Sequence, residues 1–173
     1  MKFPYGMTDF REIVTGGYFY CDRTDRIPFL EQAKSQLFIR PRRFGKSLLL
    51  SMLEHYYDVA RKGEFKEIFG GLHIGRQPTE LCNSYLVLRW DFSCVDASGS
   101  ADDIRTSLYN HINSRINRCV TNYLNAGFDL HGVDINRTDG LASTESLLSA
   151  ASTQGYPVYL LIDEYDNFAN TVM

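Results

Sequence analysis

The chain is organised around residues 37–47, which read Leu37-Phe38-Ile39-Arg40-Pro41-Arg42-Arg43-Phe44-Gly45-Lys46-Ser47. The run at 37–40 predicts a core strand, and residues 46–62 predict a helix with a broad apolar stripe. A strand, a loop, a lysine, a hydroxyl residue and a helix, in that order, are typical of a phosphate-binding P-loop. We therefore predict a nucleotide-binding loop made of Arg40, Pro41, Arg42, Arg43, Phe44, Gly45, Lys46, Ser47 and Leu48.

The residue types of this loop suit phosphate chemistry. N–H groups at a helix start attract anionic phosphate, and Gly45 lets the backbone approach it without a Cβ in the way. Lys46 is predicted to contact the β- and γ-phosphates and to act in catalysis, and Ser47 is predicted to ligate Mg²⁺. The full P-loop pattern has glycine where this chain has Arg40. The alternative is an ordinary helix start with a solvated lysine.

A second candidate site follows the apolar run at 158–163, which ends in Asp163-Glu164. The turn signal at 155–157 and the apolar run predict a buried strand of a parallel sheet. Such a strand places both acids at the carboxyl edge of the sheet, where ligands bind in open α/β sheets. Asp163 is therefore predicted to hold Mg²⁺ and Glu164 to orient or deprotonate a water molecule. The alternative is a strand that simply ends in charged loop residues.

The composition is that of an ordinary globular protein. The 173 residues carry a net charge of −3, with 44% hydrophobic and 23% charged residues. This charge excludes a general attraction to nucleic acid or to anionic membranes. No apolar run is long enough to span a bilayer, and the four cysteines form no C-x-x-C pair. We expect a cytoplasmic protein with reduced thiols.

Strands and helices are predicted to alternate along the rest of the chain. Strands are predicted at 18–21 and 85–93, and helices at 8–14, 24–35, 64–69, 102–125 and 141–152. This alternation predicts a P-loop NTPase of the α/β class, with a mainly parallel sheet in a three-layer α/β/α arrangement. Asp91, near the end of the strand at 85–93, is interpreted either as a residue close to the nucleotide or as a loop cap. We predict one domain over 1–173, with an N-terminal helix/strand/helix extension at 1–36 and an incomplete nucleotide-binding core at 37–173.

Several segments together resemble the AAA-ATPase-like family of bacterial and archaeal P-loop ATPases, which often carry a C-terminal nuclease-like domain of the PD-(D/E)XK type. The matching residues are Pro4-Tyr5-Gly6, Asp9-Phe10, Tyr18-Phe19-Tyr20-Cys21-Asp22-Arg23-Thr24, Arg40 to Leu48, Phe65, Phe69 and Leu161-Ile162-Asp163-Glu164-Tyr165-Asp166. The resemblance implies that arginine is usual at the position of Arg40. It also implies Mg²⁺ with ATP as ligands, and nucleic acid as a partner only through the nuclease-like domain.

The order of the motifs narrows the type of ATPase. Between Ser47 and Asp163 there is room for an additional strand, which residues 85–93 supply. P-loop ATPases with a glutamate directly after the strand aspartate carry such a strand, so the resemblance implies ATP hydrolysis through Glu164. In this class a later strand lies between the P-loop strand and the Asp163 strand. The chain is therefore expected to be a C-terminally truncated fragment, or to complete its sheet by self-association or a local rearrangement.

Two alternatives to an ATPase stay open. The first is a non-hydrolysing nucleotide switch or interaction module, because a sensor strand and an arginine finger are missing from the sequence. The second is an inactive fragment of a longer ATPase-nuclease protein. Arg42 or Arg43 is interpreted as a γ-phosphate contact, as the neighbour of an acid or as a solvated charge. The aromatic residues at 18–20 are interpreted as an adenine contact or as core.

Overall fold

A computed structural model of the chain describes residues 1–39, 41, 43–96 and 98–165. These residues form an α/β protein with two compact units, residues 1–84 and 85–173. The first unit contains helices α1 (Phe10–Thr15), α2 (Ile27–Leu30), α3 (Lys46–Tyr57), α4 (Phe65–Phe69) and α5 (His73–Arg76), with 3₁₀ turns at Thr24–Arg26 and Val59–Glu64. The second unit contains strand β1 (Leu86–Asp91), a 3₁₀ turn at Phe92–Cys94, helices α6 (Ala101–Asn125) and α7 (Gly140–Thr153), and strand β2 (Val158–Asp163).

An aromatic cluster forms the core of the first unit. The ring of Phe69 lies 5.3 Å from that of Phe10 and 5.5 Å from that of Tyr56, measured between centroids. All three side chains are fully buried, and such ring pairs add to the free energy gained by burial alone. The N–H of Phe10 also donates a 2.9 Å hydrogen bond to Ser51 Oγ, which ties the start of α1 to α3. The helix that begins at the predicted phosphate loop is therefore anchored along its buried face.

The segment at 22–24 connects to α5 through hydrogen bonds. Asp22 Oδ1 accepts hydrogen bonds from the backbone N–H and the hydroxyl of Thr24, and Asp22 Oδ2 accepts one from the N–H of His73 at 2.7 Å. Thr24 Oγ1 in turn accepts a hydrogen bond from the N–H of Ile74. Asp22 and Thr24, two residues of the family resemblance, therefore have a structural role in this unit.

Two strand predictions in the first unit are wrong. Residues 37–39 form no strand, and Leu37 and Ile39 are 69% and 81% exposed. At 18–21 the structure has only an isolated bridge between Lys2 and Tyr18. A strand needs a neighbour for its backbone hydrogen bonds, and among the described residues of this unit no other strand is present.

Several helix boundaries also differ from prediction. The helix expected at 24–35 ends at Leu30, and α3 ends at Tyr57 rather than near residue 62. At Asp58 the backbone leaves the helical region with ψ near 116°, and its carboxylate accepts a hydrogen bond from the N–H of Ala60. Aspartate side chains compete with the helix for backbone groups in this way, and that competition shortens α3.

The second unit contains the parallel pairing predicted from the sequence. Strands β1 and β2 pair in parallel, with register partners running from Leu86 and Val158 to Asp91 and Asp163. Strand β2 has the predicted bounds. The parallel pair with helices between its strands confirms the α/β class. Among the described residues the sheet has these two strands and no third. The three-layer arrangement and the P-loop fold stay predictions.

Side chains of helix α6 form hydrogen bonds with the edge of β1 that faces away from β2. The N–H of Leu86 points toward β2, because it donates to the carbonyl of Pro157, so the backbone of Val87 faces the other way. There the N–H of Val87 donates to the hydroxyl of Tyr123 at 2.6 Å, and Cys119 Sγ donates to the Val87 carbonyl at 3.7 Å. At Val87, side chains of α6 thus bind the backbone groups that a neighbouring strand would otherwise bind, and this hinders pairing of the edge with another strand.

The two long helices begin at side-chain caps. Ser100 and Asp103 form a reciprocal capping box at the start of α6, as the polar residues there suggest. At α7 the cap is Asp139, whose carboxylate accepts from the N–H groups of Leu141 and Ala142. Ser143 is a fully buried residue within the helix.

Stability of the chain should fall as the pH is lowered from about 6.5 to 4. His55 on α3 is buried, and burial, followed by the charge of Arg61, lowers its pKa to about 4. The unfolded chain takes up a proton near the ordinary pKa of 6.5, whereas the folded chain resists it, so the free energy of unfolding decreases across this window by on the order of 2 kcal/mol.

Urea unfolding at pH 7 and pH 4.5 measures this effect. The variant His55→Leu should show a flatter pH dependence, whereas the control His131→Leu, at an exposed position, should keep that of the parent. An unchanged pH dependence in His55→Leu would assign the effect to other groups.

Candidate functional site

The predicted phosphate loop leads directly into the N-terminus of α3. Gly45 is the N-cap and has the left-handed φ of 76°, which glycine adopts without strain. Because Gly45 has no side chain, it offers no acceptor to the first N–H groups of the helix, and these remain suited to an external anion. Lys46 and Ser47 are the first two residues of α3, so a cation and a hydroxyl lie at the positive end of a 12-residue helix.

The loop before Gly45 is partly described. Arg43 has a φ of 65°, an uncommon value for a residue with a Cβ, and such conformations cluster at functional sites. The N–H of Phe44 makes a long, 3.4 Å hydrogen bond to the carbonyl of Pro41. Arg40 and Arg42, both predicted to belong to the nucleotide site, lie outside the described residues.

In the second unit, Asp163 and Glu164 stand at the carboxyl end of β2, as predicted. Asp163 is only 4% exposed, and both of its carboxylate oxygens are engaged. Oδ1 accepts a 3.1 Å hydrogen bond from the N–H of Glu164, and Oδ2 forms a 3.2 Å ion pair with Nη2 of Arg89. Glu164 has a left-handed φ of 52°, so the chain turns sharply directly after the strand.

A second carboxylate lies beside Asp163. Asp91 ends β1 and is its register partner, so the two side chains share one face of the sheet. Asp91 Oδ1 accepts a 3.0 Å hydrogen bond from the N–H of Ser93, which confirms a loop-capping role. Burial raises the pKa of Asp91, but the hydrogen bonds of Ser93 and the charges of Arg115 and Arg89 outweigh this and keep the pKa below its usual range.

Three aromatic side chains, from β1, the turn after it and α6, lie near this edge of the sheet. The ring of Phe92 lies 6.0 Å from that of Trp90 and 5.9 Å from that of His111. Burial and the charge of Arg115 lower the pKa of His111, which favours the neutral imidazole. The carboxyl edge of the strand pair therefore combines the carboxylates of Asp91 and Asp163 with arginine side chains and a histidine whose pKa is lowered.

The structure groups the predicted site residues by unit. Gly45, Lys46 and Ser47 are neighbours in the first unit, and Asp163 and Glu164 are neighbours in the second. The aromatic residues at 18–20 have packing roles: the Tyr20 hydroxyl donates to Met52 Sδ at 3.5 Å, and its ring meets Phe10 edge-on. An adenine contact at this position stays a prediction.

Arg89 is the residue that sequence reasoning missed. It contacts the predicted metal ligand Asp163 from a position 74 residues earlier in the chain. A signal was present, because Arg89 is a cation within the apolar run 85–90 of a predicted core strand. A cation in a strand that is expected to be buried needs an acidic partner, and in the structure the half-buried Arg89 finds this partner in Asp163.

The donor chemistry of two predicted ligands suits Mg²⁺. The hydroxyl of Ser47 in the first unit and the carboxylate of Asp163 in the second unit are each hard oxygen donors, and Mg²⁺ in nucleotide sites takes one or two protein ligands together with phosphates and water. Within the described residues there is no group of three or more His, Cys, Asp or Glu side chains that could hold a metal ion by themselves.

These features define an α/β protein with a Gly-Lys-Ser helix start and a parallel strand that ends in Asp-Glu. The chain belongs to the AAA-ATPase_like family, since the family model, described as a predicted AAA-ATPase, matches residues 4–173. Comparisons with curated proteins and with solved structures gave no significant match. Membership of the family supports an ATPase or nucleotide-binding function in general. Among the described helices, none has the length and apolarity needed to cross a membrane.

Proposed function

We propose that the chain is the nucleotide-binding part of a Mg-dependent ATPase with a P-loop fold. The observation that carries the proposal is the start of α3, where the left-handed Gly45 is followed directly by Lys46 and Ser47. Anions bind at such helix ends because free N–H groups and the helix dipole act together. The family assignment supports ATP as the anion.

In this proposal each site residue has a separate role. The N–H groups of Gly45 and Ser47 hold phosphate oxygens, and Lys46 neutralises charge on the β- and γ-phosphates. Ser47 and Asp163 are the residues that would hold Mg²⁺, which supplies further charge neutralisation when bound. Arg43 contributes positive charge to the same loop.

Glu164 is the proposed general base. It follows the strand end directly, and its backbone has a left-handed φ of 52°. A carboxylate in this position can orient a water molecule and accept its proton. The parallel β1–β2 pair, connected through α6 and α7, is the type of unit from which P-loop sheets are built, and this supports the proposed fold.

One observation favours a second candidate function, a nucleotide switch that hydrolyses ATP negligibly. Both oxygens of Asp163 are already engaged, by Arg89 and by the N–H of Glu164. If this arrangement persists in the nucleotide complex, Asp163 cannot hold Mg²⁺ in the way that hydrolysis requires. Binding without turnover would then be the expected behaviour.

Calorimetric titration of Mg-ATP into the parent chain and into Lys46→Ala tests the proposal. We expect the variant to bind about 10- to 100-fold more weakly, because a charge-assisted contact to phosphate is lost. The control Lys66→Ala removes an exposed lysine of α4 in the same unit and should bind like the parent. Equal affinities for the parent and Lys46→Ala would place the nucleotide elsewhere, and no heat with the parent chain at millimolar Mg-ATP would contradict nucleotide binding itself.

A further inference from the structure

We propose that Arg89 is a positioning residue that competes with Mg²⁺ for the carboxylate of Asp163. The inference rests on the proposed function, because it takes Asp163 as the Mg²⁺ ligand. In this inference the guanidinium of Arg89 is paired with the carboxylate of Asp163 until Mg²⁺ binds. Loading of Mg²⁺ and opening of the Arg89–Asp163 ion pair are then coupled events.

The first argument is the occupancy of the carboxylate. Asp163 Oδ2 lies 3.2 Å from Arg89 Nη2, and Oδ1 accepts from the N–H of Glu164. The side chain of Asp163 is 5% exposed and that of Arg89 is 31% exposed, so the carboxylate is removed from water and the guanidinium is half-buried. A charge in such a place needs a counter-charge, and Arg89 supplies it when no metal is bound. A cation that binds the same oxygen must take over this role.

The second argument is that Arg89 has another acid to move to. Arg89 and Asp91 are two residues apart on β1, so they lie on the same face of the sheet as Asp163. Arg89 is among the charges that keep the pKa of Asp91 low, after the hydrogen bonds of Ser93 and the charge of Arg115. A guanidinium carries five donors and can exchange one carboxylate for its neighbour without losing its charge partner. Asp91 is therefore the acid on the same face to which we expect Arg89 to move when it leaves Asp163.

The chain contains a natural probe for this exchange. Trp90 is the single tryptophan of the sequence and lies between Arg89 and Asp91 on β1. Its side chain lies on the opposite face of the sheet from Arg89 and Asp91, so its emission reports on changes in β1 that accompany opening of the ion pair. This signal reports on the site without any requirement for turnover.

The test titrates Mg²⁺ into the full chain at a fixed concentration of the non-hydrolysable analogue AMP-PNP and follows Trp90 emission. We expect Arg89→Met to reach half-saturation at a Mg²⁺ concentration at least about fivefold lower than the parent, the lower end of typical coupling between two sites. Its melting temperature in EDTA should fall, and added Mg²⁺ should raise it more than in the parent. The control Arg105→Met removes an exposed arginine paired with Asp102 on α6 and should leave both readouts unchanged.

The variant Arg89→Lys keeps the inference testable if Arg89→Met fails to fold. Lysine retains the charge but not the planar fork, so the Mg²⁺ requirement should fall by a smaller factor. An unchanged or higher Mg²⁺ requirement in the folded Arg89 variants, with Lys46-dependent AMP-PNP binding intact, overturns the inference and leaves the proposed function standing. Absence of Lys46-dependent AMP-PNP binding in the parent overturns the proposed function, and the inference with it.

Discussion

Replacing Glu164 with glutamine should lower ATP turnover by about 10²–10⁴-fold, the usual contribution of a general base. Glutamine has nearly the same shape as glutamate but cannot accept a proton from water at neutral pH. Glu164 follows the buried Asp163 at the end of β2, and its N–H donates to Asp163 Oδ1. Because this backbone contact does not involve the glutamate side chain, Mg-ATP affinity should change little.

Phosphate release at saturating Mg-ATP, together with calorimetric binding on the same samples, measures this effect. The variant Glu145→Gln is the matched control, since it removes an exposed carboxylate of α7 in the same unit and should turn over ATP like the parent. Turnover of Glu164→Gln within threefold of the parent would contradict the role of Glu164 as a base. Binding by the parent without measurable phosphate release would favour the nucleotide switch.

Replacing Gly75 with alanine should destabilise the first unit by at least about 3 kcal/mol. A Cβ at Gly75 would lie 1.9 Å from the carbonyl oxygen of Phe69 and 2.6 Å from its carbonyl carbon. Both are backbone atoms at the end of α4, so no side-chain rotation can relieve the overlap. The chain would have to separate α5 from α4, and the buried Ile74 and Phe69 belong to the segments that would move.

Gly71→Ala is the control for this substitution. A Cβ at Gly71 meets nothing within 4 Å, and the residue does not have a left-handed φ. Alanine there should therefore change the free energy of unfolding by less than about 1 kcal/mol. Urea unfolding followed by circular dichroism compares the two variants. Similar midpoints for Gly75→Ala and Gly71→Ala would show that the approach of residue 75 to Phe69 is not a tight constraint.

The features that could be predicted from the sequence depend on local patterns. The apolar run at Val158–Asp163 gave the correct strand bounds, and the periodic spacing over 102–125 gave α6 to within one residue at its start. The Gly-Lys-Ser tripeptide gave the start of α3. In each case neighbouring residues supply the signal, through side-chain periodicity, a cap or a turn residue. The Gly-Lys-Ser and Asp-Glu segments also carried part of the family resemblance, and the family match over residues 4–173 confirms that resemblance.

Other features depend on residues that are far apart in the chain. The three apolar residues at 37–39 satisfy the pattern of a core strand, yet a strand forms only where another strand accepts its hydrogen bonds. The ion pair between Arg89 and Asp163 joins positions 74 residues apart, and it exists because β1 and β2 pair in one particular register. Local sequence placed Asp163 at a strand end. The register of the sheet brought Arg89 into contact with Asp163. Sequence neighbours did not indicate this pair, because the partner of a buried charge is fixed by tertiary packing.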